Sequence, residues 1–252
     1  MAVEIITTRR DAVVGIGFNR PQKKNALTWE MYEELDRNLR AAEADDSVRA
    51  IVFHGTAETF TSGNDLEDFL TRPPQGEDAP VFRFLRAVTG AAKPLVAVAT
   101  GPAVGIGTTL LLHCEIVIAG DNARFALPFV QLGLVPEFAS SYLLPLVAGY
   151  QRAASLLLRG ETFGPQEARE AGFVTRVVPA AEAMETGWEE ARRLAAMPVE
   201  SVRLTKALLK RAHAAAVEAQ LRLEGGHFRD LLAQPAARAA LAAFLDKRKP
   251  RV

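Results

Sequence analysis

Short apolar runs recur along the chain, and the segments between them carry helical patterning. DAVVGIGF (11–18), VRAIVFHG (48–55), PLVAVAT (94–100), EIVIAG (115–120) and FVTRVVP (173–179) each hold an apolar core of strand length. Continuous runs of this kind, bounded by turn residues, predict strands buried in a core. Between the first two lies TWEMYEELDRNLRAAEAD. Thr28 is placed to cap its N-terminus, Glu30 sits in its first turn, and Met31, Leu35, Leu39 and Ala42 recur at helical spacing. Strand, helix and strand thus alternate, which predicts an α/β fold.

Further along, TRPPQGEDAP (71–80) is a polar loop rich in proline and glycine. GPAVGIG predicts a tight turn into a helix over roughly 106–113, and ARFALPF a short strand. Helices follow in FASSYLLPLV and in YQRAASLLLRG, the latter stopped at Gly160. From about Ala180 the chain reads as helix, divided by Pro198, Gly225–Gly226 and Pro235 into four pieces. The expected organisation is a core over residues 1–195 and a C-terminal helical region over 196–252 that covers the body or packs on another subunit.

Composition narrows the function. With 252 residues, 49% of them apolar, the chain can bury a large core. Its net charge of zero gives no stripe for nucleic acid and no attraction to anionic membranes. Pro94–His113 carries no formal charge and is about as long as a membrane span, but its prolines and glycines favour strand, turn and buried helix. The single Cys114 cannot form an internal disulfide and reads as a small core residue. The four histidines show no metal spacing, so no metal site is expected, and His113 reads as a packing residue. No signal peptide is expected at MAVEIITTRR, and the terminal KPRV is not a peroxisomal tripeptide, so the expected location is cytoplasmic.

Three stretches can carry chemistry. In TFTSGNDLEDFL (59–70), Gly63 permits a tight turn that can aim the Asn64 N–H outward, or Asp65 does no more than cap a helix. In GPAVGIGTTLL (101–111), Gly105 and Gly107 flank Ile106 at a helix start. Its free N–H suits a developing negative charge, or the glycines serve close packing alone. The spacing is neither a Walker nor a Rossmann fingerprint. The third stretch is VPEFASS (135–141). Glu137 is the one charged residue in the 27 from Phe125 to Gln151, in a chain that is 24% charged. It is either a solvated helix-start glutamate or a desolvated base with a raised pKa.

FNRPQKKNALTWEM, FTSGNDL, KPLVAVATGPAVGIGTTLLLHCEIVIAGDNARFALPFVQLGLVPE and GETFGPQEAREAGFVTRVVP together resemble the crotonase superfamily, the enoyl-CoA hydratase/isomerase family. The likeness covers nearly the whole chain. It implies a spiral of ββα units with a helical C-terminal region, assembled as a homotrimer or a dimer of trimers. It implies an acyl-CoA thioester substrate, no separate cofactor, and an oxyanion hole made by the Asn64 and Ile106 amides. Hydratases of the family use two glutamates, where this chain has Thr109 and Phe129. Glu137 instead matches the single acid/base of Δ3,Δ2-enoyl-CoA isomerases. The resemblance further implies substrate contacts at Lys24, Ala26, Leu27, Ser62, Gly63, Asp65, Leu66, Gly105, Gly107 and Phe129. Lys23 and Lys24, or Lys206 and Lys210, are candidates for the CoA phosphates, although adjacent lysines also occur simply as solvated surface. The alternatives are a hydratase or other lyase pairing Glu137 with a second acid, for which Asp65, Glu67 and Asp68 are nearest in sequence, or an acyl-CoA-binding member without catalysis.

Overall fold

A computed structural model describes residues 3–248. The terminal KPRV and the first two residues, on which the expectations about signals rested, lie outside them. The elements run β1 (Ile5–Arg10), β2 (Val13–Phe18), α1 (Trp29–Ala44), β3 (Ala50–His54), α2 (Leu66–Thr71), α3 (Pro80–Gly90), β4 (Leu95–Ala99), β5 (Pro102–Val104), α4 (Ile106–Thr109), β6 (Ile116–Gly120) and β7 (Arg124–Ala126). They continue through α5 (Ser140–Ala148), α6 (Tyr150–Arg159), α7 (Pro165–Glu170), β8 (Arg176–Val178), α8 (Ala180–Ala195), α9 (Val199–Arg211), α10 (Ala214–Leu232) and α11 (Pro235–Arg248).

Six strands form one sheet in the order β1-β2-β3-β4-β6-β8. β1 and β2 make an antiparallel hairpin, and the remaining pairs are parallel. Its inner strands β2, β3, β4 and β6 are buried on both faces, which is why they read as unbroken apolar runs rather than alternating ones. Ile51, Phe53, Leu95 and Ala97 face the main core with α1 and α3. Val52, Val96, Val98 and Ile118 face α8, where Trp188 and Ala191 cover them. Gly187 lets α8 come close: a Cβ there would lie 2.2 Å from Val98.

β5 and β7 form a second, two-stranded sheet. Single bridges tie Thr61 to Ala103 and Leu27 to Asn64, so the loops after β2, β3 and β4 are drawn to one place.

The α/β fold with its helical C-terminal region is as expected, and Thr28 and Asp65 cap α1 and α2. Four differences have physical causes. β1 was not anticipated, because as an edge strand it exposes most of its residues and lacks an apolar period. The expected helix over 106–113 is α-helical only to Thr109 and then tightens to a 3₁₀ turn. Gly225 and Gly226 do not break the C-terminal helices; α10 passes through both, and the break falls at Ala212–His213. Cys114 is half-buried at the edge of the core rather than inside it.

Candidate active site

Asn25 anchors the site from behind. It is fully buried, its Nδ2 donates to the carbonyls of Thr59 (2.9 Å) and Phe60 (3.0 Å), and its own carbonyl accepts from Thr61 Oγ1 at 2.6 Å. Leu27 N donates to Gly63 O and Asp65 N to Leu27 O, at 2.9 and 2.8 Å. The Gly63–Asn64 peptide is therefore held rigidly, while among the described residues no backbone carbonyl accepts from Asn64 N. Gly63 is required here: its φ is +91°, and a Cβ would lie 2.8 Å from Val104 O. The same close approach brings the second turn alongside.

That second turn ends in Gly105, at φ +57°. Gly105 O accepts from Thr108 N and Thr109 N, both at 2.9 Å, while Ile106 N opens α4 without a backbone acceptor. Asn64 and Ile106 line one cavity together with Ser62, Gly63, Leu66, Gly105, Phe129 and Glu137. Both turns thus present a free donor to the same space.

Glu137 is 8% exposed, and its Oε1 is buried without a hydrogen-bond partner. A Cβ on Gly105 would lie 3.9 Å from that oxygen, which places the carboxyl over the Ile106 turn. Its pKa is pushed up to about 8, first by burial and then by the negative charge of Glu224, with the Asn64 side-chain amide opposing both. The Tyr32 hydroxyl donates to Asn64 Oδ1, leaving the amide N–H groups to serve Glu137. Glu137 does not stand in a helix turn. It precedes Phe138 and Ala139, which adopt left-handed backbone at φ +62° and +54°, an arrangement that costs roughly 1–2 kcal/mol per residue.

The surroundings hold this strained turn. Ser140 Oγ donates to Glu137 O at 2.6 Å. His113 stacks on Phe138 with ring centroids 4.0 Å apart, and its Nε2 lies 2.8 Å from Phe138 O. Burial pushes the His113 pKa down to about 3, so the ring is neutral and donates Nε2–H. His113 is thus a packing residue, as its sequence setting predicted, and it also holds the turn that carries Glu137. From α10, the Glu224 carboxylate accepts from Ser141 N (2.9 Å) and Ser141 Oγ, capping α5.

Not every predicted contact reaches the cavity. Ala26 and Leu27 are buried behind the Asn64 turn. Asp65 is occupied by α2 and by Arg20, 2.6 Å away. Gly107 serves packing, since a Cβ there would lie 2.7 Å from Thr61 Cγ2. Lys24 is exposed and outside the cavity wall. Lys206 cannot reach a CoA phosphate: it is 4% exposed, pairs with Glu115 at 3.0 Å and donates to Lys93 O. Lys210 pairs with the same glutamate at 3.5 Å. Glu67 faces Lys23, and Asp68 is bound to Arg72 and Trp29 N, so neither is a second acid beside Glu137. Tyr32, Asn25 and Glu224 were missed; each acts through a partner distant in sequence.

Comparison with known proteins fits this geometry. The enoyl-CoA hydratase/isomerase family model matches residues 8–252. The chain belongs to that family. Human enoyl-CoA delta isomerase 2 is 37% identical over 214 residues, 82% of this chain and 54% of that protein. The chain thus spans about half the length of the first curated relatives it matches. The 1,2-epoxyphenylacetyl-CoA isomerase of Escherichia coli K12 is 33% identical over 253 residues, 98% of this chain and 97% of that protein. The solved structure of Pseudomonas aeruginosa OdaA superposes with a TM-score of 0.94 at 40% identity, covering 97% of this chain and 99% of that one. Among the described residues no helix is long and apolar enough to cross a membrane.

Proposed function

We propose that this chain is a Δ3,Δ2-enoyl-CoA isomerase that moves a double bond through an enolate, with Glu137 as its single proton carrier. The observation that carries the reading is one buried, unpartnered carboxylate oxygen in a cavity that two free backbone donors also line and whose wall holds no other acid among the described residues. The thioester oxygen of a 3-enoyl-CoA lies between Asn64 N–H and Ile106 N–H. Glu137 takes a proton from C2, and the electron pair delocalises onto the thioester oxygen. The two amides stabilise that charge, each worth roughly 3 kcal/mol in a dry site. The same carboxyl then gives the proton to C4, leaving the double bond between C2 and C3.

Hydration requires a water held between two acid/base groups. Phe129 lines the cavity with a ring, and Thr109 is fully buried. Neither supplies a second acid. Phe129 and Leu134 instead keep the base dry, which sustains its raised pKa and shields the dienolate.

The reading includes a cytoplasmic enzyme with no cofactor beyond the CoA of its substrate, which is held near residues 19–27 and the turn at 62–66. It divides the chain into a core over 1–195 and a covering, assembling region over 196–252. The exposed Leu204, Leu208 and Leu209 of α9 support assembly into trimers. The test is conjugated 2-enoyl-CoA formation from trans-3-hexenoyl-CoA, followed by ultraviolet absorbance in wild type and Glu137→Gln, with crotonyl-CoA hydration measured beside it. Isomerisation lost in the variant, with negligible hydration, supports the reading. Efficient hydration, or a variant as active as wild type, refutes it.

A further inference from the structure

We propose that the cavity at Glu137 is a closed pocket for short acyl chains, about six carbons or fewer, and that the ring pair Phe69–Phe228 is the stop that sets this limit. The proposal rests on the acyl-CoA reading above and names the substrate class it leaves open.

The cavity has an open side and a closed end. Ser62, Leu66 and Leu132 are partly exposed and Phe244 is exposed, which puts the mouth beside α2 and the C-terminal half of α11. The inner walls are buried side chains: Phe69 of α2, Phe129 and Leu134 of the loop after β7, Phe228 and Leu232 of α10, and Leu241 of α11. α11 is held down on this pocket. Gly133, at φ +70°, lets the helix approach so closely that a Cβ there would lie 3.0 Å from Ala237 Cα. Ala237 and Leu241 lie one turn apart on the same helix face, and both are buried. The free volume is about 70 Å³. A water-sized group needs about 10–15 Å³, so the pocket has room for roughly five to seven such groups, and the thioester carbonyl takes part of that space.

The stop is identified by what lies on its two sides. Phe69, Phe228 and Glu137 line this cavity and also a second one that reaches α3. They therefore form the partition between the two. The rings meet edge to face, with centroids 6.3 Å apart and planes at 83°, a favoured arrangement for an aromatic pair, and both are buried. The space beyond is about 10 Å³, room for about one water. Phe82 closes its far side against α10, 3.2 Å from where a Cβ of Gly225 would lie. In the proposed reaction C2 and C4 lie at Glu137, beside this partition. A tail beyond C4 has only the space before the two rings and under Leu232 and Leu241.

The test measures binding of saturated thioesters by calorimetry, which needs no proton transfer. Butanoyl-, hexanoyl-, octanoyl- and dodecanoyl-CoA are compared in wild type, Phe228→Ala and the milder Phe69→Leu, with thermal unfolding of each protein. Each methylene that enters an apolar pocket strengthens binding by up to about fourfold. Wild-type affinity should rise from butanoyl to hexanoyl and gain nothing further from hexanoyl to dodecanoyl. Phe228→Ala joins the two cavities, so the octanoyl-to-hexanoyl affinity ratio should rise about threefold or more. Phe69→Leu should shift the ratio in the same direction by less, and it carries the comparison if Phe228→Ala does not fold. Wild-type affinity that keeps rising through dodecanoyl, or a ratio unchanged in the folded variants, overturns the proposal. Failure to bind any of the four thioesters overturns the acyl-CoA reading and the stop with it. A protein that shows the limit but fails to isomerise trans-3-hexenoyl-CoA refutes the isomerase reading alone. One that isomerises without the limit refutes the stop alone.

Discussion

Glu137 can be tested as a desolvated acid without any substrate, through stability. Its folded-state pKa is about 8, against 4.5 for the unhindered side chain. Below pH 4.5 both the folded and unfolded chains carry the proton, and Glu137 makes stability independent of pH. Between 4.5 and 8 the unfolded chain releases the proton while the folded chain keeps it, so each pH unit removes about 1.4 kcal/mol of stability. Above 8 both forms are ionised and the full loss, on the order of 5 kcal/mol, remains. Glu137→Gln abolishes this dependence. Urea unfolding of wild type and variant at pH 5 and pH 9, at equal protein concentration, gives the difference. The variant should gain several kcal/mol on wild type between the two pH values, whatever constant offset the amide introduces. A stability difference that is the same at both pH values would mean that Glu137 is solvated, and the case for a tuned base would fail.

Glu224→Gln removes the like charge that helps raise the Glu137 pKa, so the rising limb of kcat/KM against pH should move to lower pH, with a gain in rate at pH 7; an unmoved limb refutes the coupling. Tyr32→Phe frees the Asn64 amide to rotate, and kcat should fall several-fold or more with KM little changed, as steady-state kinetics would show. Gly63→Ala meets both a φ of +91° and the Val104 carbonyl, so it should cost about 1–3 kcal/mol in thermal unfolding and a large part of the turnover by shifting the Asn64 donor.

What the sequence made legible is what depends on neighbours along the chain. Gly63 and Gly105 announce turns because only glycine takes those backbone angles readily, and each turn fixes which amide is left free. Glu137 stood out because charge is absent for many residues on either side of it. Long-range partnerships left no local trace. Tyr32 reaches the Asn64 turn from α1, and Lys206, an ordinary helix-surface lysine by sequence, is buried because Glu115 and the Lys93 carbonyl lie opposite it. The sequence predicts a break at Gly225–Gly226 because glycine is a poor helix former; tertiary packing overrides that propensity, and at Gly225 the close approach of Phe82, 3.2 Å from where a Cβ would lie, accounts for the residue.

The same division separates the identity of the base from its strength. Local sequence places a carboxylate in apolar surroundings, and desolvation follows from that alone. How far the pKa rises depends also on Glu224, which arrives on α10 to cap α5 and places a second negative charge near the first. Those two roles of Glu224 oppose each other: the cap stabilises the turn that carries Glu137, while the charge makes ionisation of Glu137 harder. In the proposed mechanism, a proton carrier that must both take and return its proton near neutral pH needs that balance, because a base with an ordinary carboxylate pKa would abstract from C2 too weakly. The C-terminal helices therefore reach into the site: through Glu224 on α10 they raise the pKa of a carboxylate carried on the loop before α5, which in the proposed mechanism tunes the base.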